Sequence, residues 1–188
     1  MAYKFDPHKA YRLEDPARYA LIQPERTLRA LGLKRGDIFA DVGAGAGFFA
    51  FPGARLVGPE GKVFALDVEK EMLEYLGSKN PPAWVNMVLC QDGELPIPDN
   101  EADLTLSSLV LHETDKPVEF IREMGRITKP RKPVVLIDWA KKEEPDGPPL
   151  PHRLHHHEAE DLVMQAGLAL RTVEFISPSH YMLSCWKR

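Results

Sequence analysis

The stretch Asp37-Ile38-Phe39-Ala40-Asp41-Val42-Gly43-Ala44-Gly45-Ala46-Gly47 decides the fold of this chain. An apolar segment, Ile38–Val42, runs straight into glycine at every second position, and Phe48-Phe49-Ala50-Phe51 opens an apolar helix behind it. Glycine lets the backbone turn sharply and carries no Cβ to hold a ligand away. The first turn of the helix that follows offers unpaired N–H groups, a seat for a carboxylate or a phosphate. The pattern reads as strand, loop and helix, with a nucleotide-like ligand lying across the junction.

Outward from this junction the chain alternates. Short, nearly continuous apolar runs at Ile38–Val42, Val63–Asp67, Trp84–Cys90, Ala102–Ser107 and Pro133–Trp139 have the character of strands covered on both faces. Helical stripes lie between them, at Glu69–Gly77 and from Val118 to Pro130, with others at Pro24–Leu31 and Glu158–Ala166. Such alternation predicts an α/β sandwich on a mainly parallel sheet. The end of the chain differs. Leu170–Ile176 and His180–Trp186 are separated only by Ser177-Pro178-Ser179, too short for a crossover helix, and are expected to pair as an antiparallel hairpin at the sheet edge. Pro52 falls early in the helix after the glycine loop, within its first turn or two or at a kink.

The 188 residues, 44% hydrophobic and 28% charged, suit a single domain spanning 1–188. No run approaches the ~18 apolar residues of a membrane span, and the start of the chain lacks the basic-then-apolar pattern of a signal peptide. A net charge of −4 argues against a dedicated nucleic-acid binder. The local basic cluster Lys129-Pro130-Arg131-Lys132 reads as a solvated turn. Cys90 and Cys185 make no disulfide framework and lack metal-ligand spacing, so the expected residence is cytoplasmic.

The glycine spacing then sorts the candidate ligands. Nothing supplies the Gly-Lys-Ser/Thr of a P-loop. A dinucleotide fingerprint places its third glycine where this chain has Phe48, which counts against NAD(P) without removing an oxidoreductase as an alternative. The spacing Asp41-x-Gly43-x-Gly45-x-Gly47 resembles instead the first motif of class I S-adenosylmethionine-dependent methyltransferases. Val63–Asp67, the loop Gln91-Asp92-Gly93-Glu94-Leu95-Pro96, and Phe120–Pro130 followed by Val134–Asp138 resemble further segments of that family in the same order. The likeness covers roughly residues 30–186 and is nearest to the small-molecule, methyltransferase-11-like branch.

The resemblance implies a Rossmann-like sheet of seven strands in the order 3-2-1-4-5-7-6, with S-adenosyl-L-methionine as cofactor. Asp67, at the end of the second strand, would accept from both ribose hydroxyls beside Val68; the plainer reading is a cap for the helix that follows. Asp92, with Gly93 and Glu94, would receive the adenine amino group, or would simply make an Asx-turn. Asp41 would reach the methionine amino group, the N–H groups of Gly43, Gly45 and Gly47 would meet its carboxylate, and Ser107 would border the seat. A protein that binds the cofactor without catalysis would keep all of these.

The methyl acceptor is expected where the fourth strand ends. His112-Glu113 resembles a pair often found there in small-molecule members, with His112 as a general base; the plainer reading is a packed turn with a solvated glutamate. The segment Ser107-Ser108-Leu109-Val110 lacks the Pro-Pro-aromatic signature of nucleic-acid amino-methyltransferases, and a small or medium-sized acceptor is expected, on a monomer or homodimer. Three consecutive histidines, His155-His156-His157, would point in three directions on a helix, so no metal site is expected. Residues 1–20 are rich in aromatics without a helical period and are expected to form a lid over the cofactor.

Overall fold

The structure is a computed structural model that describes residues 16–145 and 147–187. Seven strands form one sheet: β1 (Ile38–Val42), β2 (Lys62–Asp67), β3 (Val85–Leu89), β4 (Leu104–Ser108), β5 (Pro133–Trp139), β6 (Leu168–Ser177) and β7 (His180–Lys187). Their order is β3-β2-β1-β4-β5-β7-β6. The β1–β2, β2–β3, β1–β4 and β4–β5 pairs are parallel, and β7 runs antiparallel to both β5 and β6. Among the described residues the α-helices are α1 (Pro16–Ile22), α2 (Pro24–Ala30), α3 (Ala50–Val57), α4 (Lys70–Ser78), α5 (Pro117–Ile127) and α6 (His156–Gln165).

The continuous apolar runs follow from burial on two faces. Phe39, Ala65, Leu104, Leu106, Val135 and Ile137 pack on one side with residues of α2 and α3. Ala40, Val42, Leu66, Val134 and Leu136 pack on the other with α5 and α6. The third strand departs from this expectation. As the sheet edge, β3 leaves Met87 44% and Leu89 54% exposed, so its apolar run is only partly covered. The fourth strand starts later than its apolar run, at Leu104, because Ala102 makes an isolated bridge to Thr128 instead.

The helix after the glycine loop begins at Ala50, and Pro52 sits in its first turn, where its missing N–H costs nothing. The short helix α1 has no visible sequence period. Of the segment expected to form a lid, residues 1–15 lie outside the described residues, and the rest belongs to α1.

The chain leaves β1 toward β2 on one side, while β4 lies on the other. This reversal opens a crevice at the carboxyl ends of the strands, the usual place for a ligand on such sheets.

Candidate active site

A cavity of about 760 Å³ fills this crevice. Its floor is the end of β1 and the glycine loop. Gly43 has φ +75°, and a Cβ there would meet Val110 Cγ2 at 2.3 Å. Glycine is therefore required for the loop to pass under the segment after β4. At Gly47 (φ +88°) a Cβ would strike the Phe51 ring at 2.6 Å. That glycine serves the packing of loop on helix, and it does not border the cavity.

The expected cradle of glycine-loop N–H groups is largely spent within the protein. Gly43 and Ala44 both donate to Leu66 O at 2.8 Å, Gly47 donates to Ala44 O at 2.9 Å, and Gly45 donates to Asp67 Oδ2 at 2.8 Å. These N–H groups shape the loop. The cation at this end of the cavity is Arg18, carried in by α1 and stacked 4.2 Å from the Phe48 ring centroid. Phe48, in the place of a third glycine, is buried against Tyr19 and Arg18.

Two buried acidic side chains, Asp67 and Asp41, define the polarity of the seat. Asp67 accepts from Gly45 N through one oxygen and from Glu69 N through the other, at 3.0 Å, so it ties the loop to the start of α4 while still bordering the cavity. Burial raises its pKa above the ordinary value. Asp41 is 2% exposed, and its Oδ2 is buried with no hydrogen-bond partner among the described residues. Burial, with the Asp67 charge behind it, pushes the Asp41 carboxyl up to about 8. Asp41 therefore keeps its proton near pH 7, with the Ala50 backbone N–H as a hydrogen-bond donor to its side chain; a cationic ligand would draw off that proton and pair with the carboxylate. The ammonium and sulfonium of S-adenosylmethionine fit this donor set, whereas a polyanionic dinucleotide does not.

Asp92 also borders the cavity, with one oxygen taken by the Thr114 hydroxyl and the other by Asp115 N at 3.0 Å. It clamps the loop after β3 to the loop before α5 and keeps lone pairs for a further donor. Gly93 and Glu94 lie in the turn behind it, Glu94 bridged to Gln91, and neither reaches the cavity. Val68 does border it. Ser107 does not: its hydroxyl donates to Val42 O at 2.8 Å inside the sheet, and the next residue, Ser108, faces the cavity instead. Strand alternation explains the exchange.

At the other end of the cavity stands His112, in a single 3-10 turn (Leu111–Glu113). Its Nδ1 lies 2.7 Å from Asp138 Oδ1, and Asp138 Oδ2 accepts the His112 backbone N–H at 3.0 Å. Glu113 borders the cavity with its Oε1 3.6 Å from His112 Nε2. Burial alone would lower the His112 pKa, but the Asp138 charge and hydrogen bond, with Glu113 beside them, hold it above the ordinary value. Asp138 is the penultimate residue of β5 and was not legible as a site residue. Trp139, Glu144, Pro145, Pro148 and His180 complete this end, contributed by the β5–β7 register and the segment after β5. Arg153, 2% exposed, holds that segment: it donates to Ala140 O, Lys142 O, Pro148 O and Glu144 Oε2.

Cys90 borders the cavity too, but burial and the nearby Asp67 and Asp92 charges push its thiol up to about 12, so it is no nucleophile. The three histidines behave differently from helix geometry alone. His155 is the extended N-cap of α6, so its ring folds back, and the ligand atoms of His155, His156 and His157 lie within 4.8 Å of one another.

Sheet order, switch-point cavity and an acidic seat for a cationic nucleoside are those of the methyltransferase class. The chain belongs to the Methyltransf_11 family, described as a methyltransferase domain, whose model matches residues 40–136. A crystal structure of an S-adenosylmethionine-dependent methyltransferase from Aquifex aeolicus is similar over 97% of this chain and 98% of its own, with 34% identity and a TM-score of 0.90. The ubiquinone/menaquinone biosynthesis C-methyltransferase of Pasteurella multocida is 30% identical over 61% of this chain and 44% of its own length. The 2-phytyl-1,4-naphtoquinone methyltransferase of Synechocystis is 32% identical over 57% and 47%. The chain thus spans about half the length of these curated relatives. No helix among the described residues is long and apolar enough to cross a membrane.

Proposed function

We propose that this protein transfers the methyl group of S-adenosylmethionine to a small acceptor, with His112 as general base. The observation that carries the reading is the buried, unpartnered Asp41 Oδ2 beside Asp67, an acidic pair at the glycine loop that a bound cation would draw into ionisation. Asp41 would hold the methionine ammonium, Asp67 and Asp92 the ribose and adenine donors, and Arg18 the carboxylate. The cofactor supplies an electrophilic methyl on a good leaving group, so the protein's task is alignment and proton removal.

His112 is suited to the second task. Its Nδ1–H is committed to Asp138, which leaves the Nε2 lone pair to accept a proton from the acceptor. Asp138 then stabilises the imidazolium. Phe48, Leu109, Val110 and Trp139 border the cavity and limit water there.

In this reading the chain works as one domain, in the cytoplasm, on a small molecule and not on nucleic acid, as a monomer or homodimer. The names of the curated relatives make quinols the first acceptors to assay. Turnover to S-adenosylhomocysteine across a panel of quinols, phenols and carboxylates tests the proposal. Methyl transfer to at least one acceptor, lost in H112A, is expected; cofactor binding with no turnover on any acceptor would make this a binding protein instead.

A further inference from the structure

One buried imidazole at the acceptor end of the cavity has no part in the scheme above. His180 starts β7 directly opposite Trp139 of β5, and the two rings lie 4.4 Å apart. Its Nδ1 is 2.9 Å from the Ser177 hydroxyl, and its Nε2 is buried with no partner among the described residues. The neighbouring bonds point to one tautomer. Ser177 Oγ already accepts Ser179 N at 3.1 Å, and its own proton has one acceptor at hand, His180 Nδ1. That bond makes Nδ1 the acceptor and places the ring proton on Nε2. Burial holds the His180 pKa near 4, with Arg18 and Arg153 opposing protonation and Asp138 and Glu144 favouring it, so the ring stays neutral.

The acceptor end therefore carries two imidazoles of opposite polarity. His112 offers a lone pair and His180 offers an N–H, and the Trp139 indole borders the same space. An unmatched donor in a buried site discriminates strongly for the ligand that satisfies it. We propose that His180 is the acceptor-positioning donor of this enzyme, and that the acceptor is a planar aromatic with an ionisable hydroxyl for His112 and a second oxygen that receives His180 Nε2–H. This assignment rests on the methyl-transfer reading. The proton leaves the hydroxyl for His112 Nε2, and the second oxygen fixes the ring's rotation against Trp139.

The test is a binding measurement on the full chain with S-adenosylhomocysteine present. 4-Nitrocatechol, which has two ring oxygens, is compared with 4-nitrophenol, which has one, by absorbance titration. The wild-type protein is expected to prefer the catechol by about five- to tenfold, the value of one buried hydrogen bond. H180F should abolish the preference, and H180Q, which keeps a donor near the Nε2 position, should retain it. If H180F does not bind S-adenosylhomocysteine, H180M replaces it as the variant without a donor. A wild-type protein with no preference, a donor-free variant that keeps it, or H180Q behaving like H180F would each overturn the proposal. Calorimetry with S-adenosylhomocysteine separates the two levels: no binding by the wild-type protein brings down the methyl-transfer reading, and the His180 role with it. Intact binding without catechol preference removes His180 alone.

Discussion

Asp138 grips His112 twice, accepting the ring Nδ1–H at 2.7 Å and the backbone N–H at 3.0 Å. The double contact fixes both the orientation of the imidazole and the atom that carries its proton. It also sets a pH dependence. With the His112 pKa held above its ordinary value, the base becomes available only as pH rises through that raised value. The kcat–pH profile should show an acid limb with its midpoint above the ordinary histidine value of about 6.5. H112Q should lower kcat by on the order of 100-fold or more. D138N should also slow turnover and move the limb to lower pH; an unchanged limb would detach Asp138 from the base.

Asp41 predicts a stability profile for the ligand-free protein. Its carboxyl has an ordinary value of 3.8 and is pushed up to about 8 in the fold. Between those values the unfolded chain has lost the proton and the folded chain keeps it, so this group's contribution falls as pH rises. Below 3.8 both states are protonated and its contribution is fully present. D41N should flatten the decline in Tm across that window and raise the Tm of the ligand-free protein near pH 8, while weakening cofactor binding. Melting curves of both proteins from pH 5 to about 8, with and without ligand, check the sign. Equal slopes would show that Asp41 is ionised in the free protein.

How far the site could be read in advance depends on distance along the chain. The glycine loop and Asp67 were legible because strand, turn and acidic strand end form short contiguous patterns. So was the hairpin, since Ser177-Pro178-Ser179 leaves no length for a helix. The partnership of His112 with Asp138 spans 26 residues and exists only because β4 and β5 are neighbours. His180 reaches the site through the antiparallel register of β5 and β7, which no local pattern encodes. Ser107 and Ser108 exchanged roles because adjacent strand residues face opposite ways. The helix α1, seven residues long, is too short to show a period.

Arg153 should govern the acceptor end without touching the cofactor. Its buried guanidinium joins three carbonyls to Glu144, and R153M would leave those carbonyls without this donor while Glu144 keeps Lys142 and the Ser179 hydroxyl. A loss of about 1–3 kcal/mol is expected for buried carbonyls left without their donor. The KM for acceptor should rise while cofactor affinity holds. Denaturant melts and calorimetry on R153M check both parts.

Gly43 offers a steric test of the loop. G43A places a Cβ 2.3 Å from Val110 Cγ2 at φ +75°. Strain and overpacking together should cost about 2–4 kcal/mol. G43A/V110A should recover the overpacking share but not the backbone share, a split that thermal melts of both variants read directly.

The central claim is that the glycine loop, Asp41 and Asp67 form a seat for S-adenosylmethionine. Calorimetric titration of the full chain and of D67A with S-adenosylmethionine, and of the full chain with NAD and NADP, tests it most directly. The account predicts one-to-one binding of S-adenosylmethionine, weakened by about 1.5–3 kcal/mol in D67A, and no heat from either dinucleotide. Binding of NAD or NADP with none of S-adenosylmethionine, or a D67A variant with undiminished affinity, would contradict it.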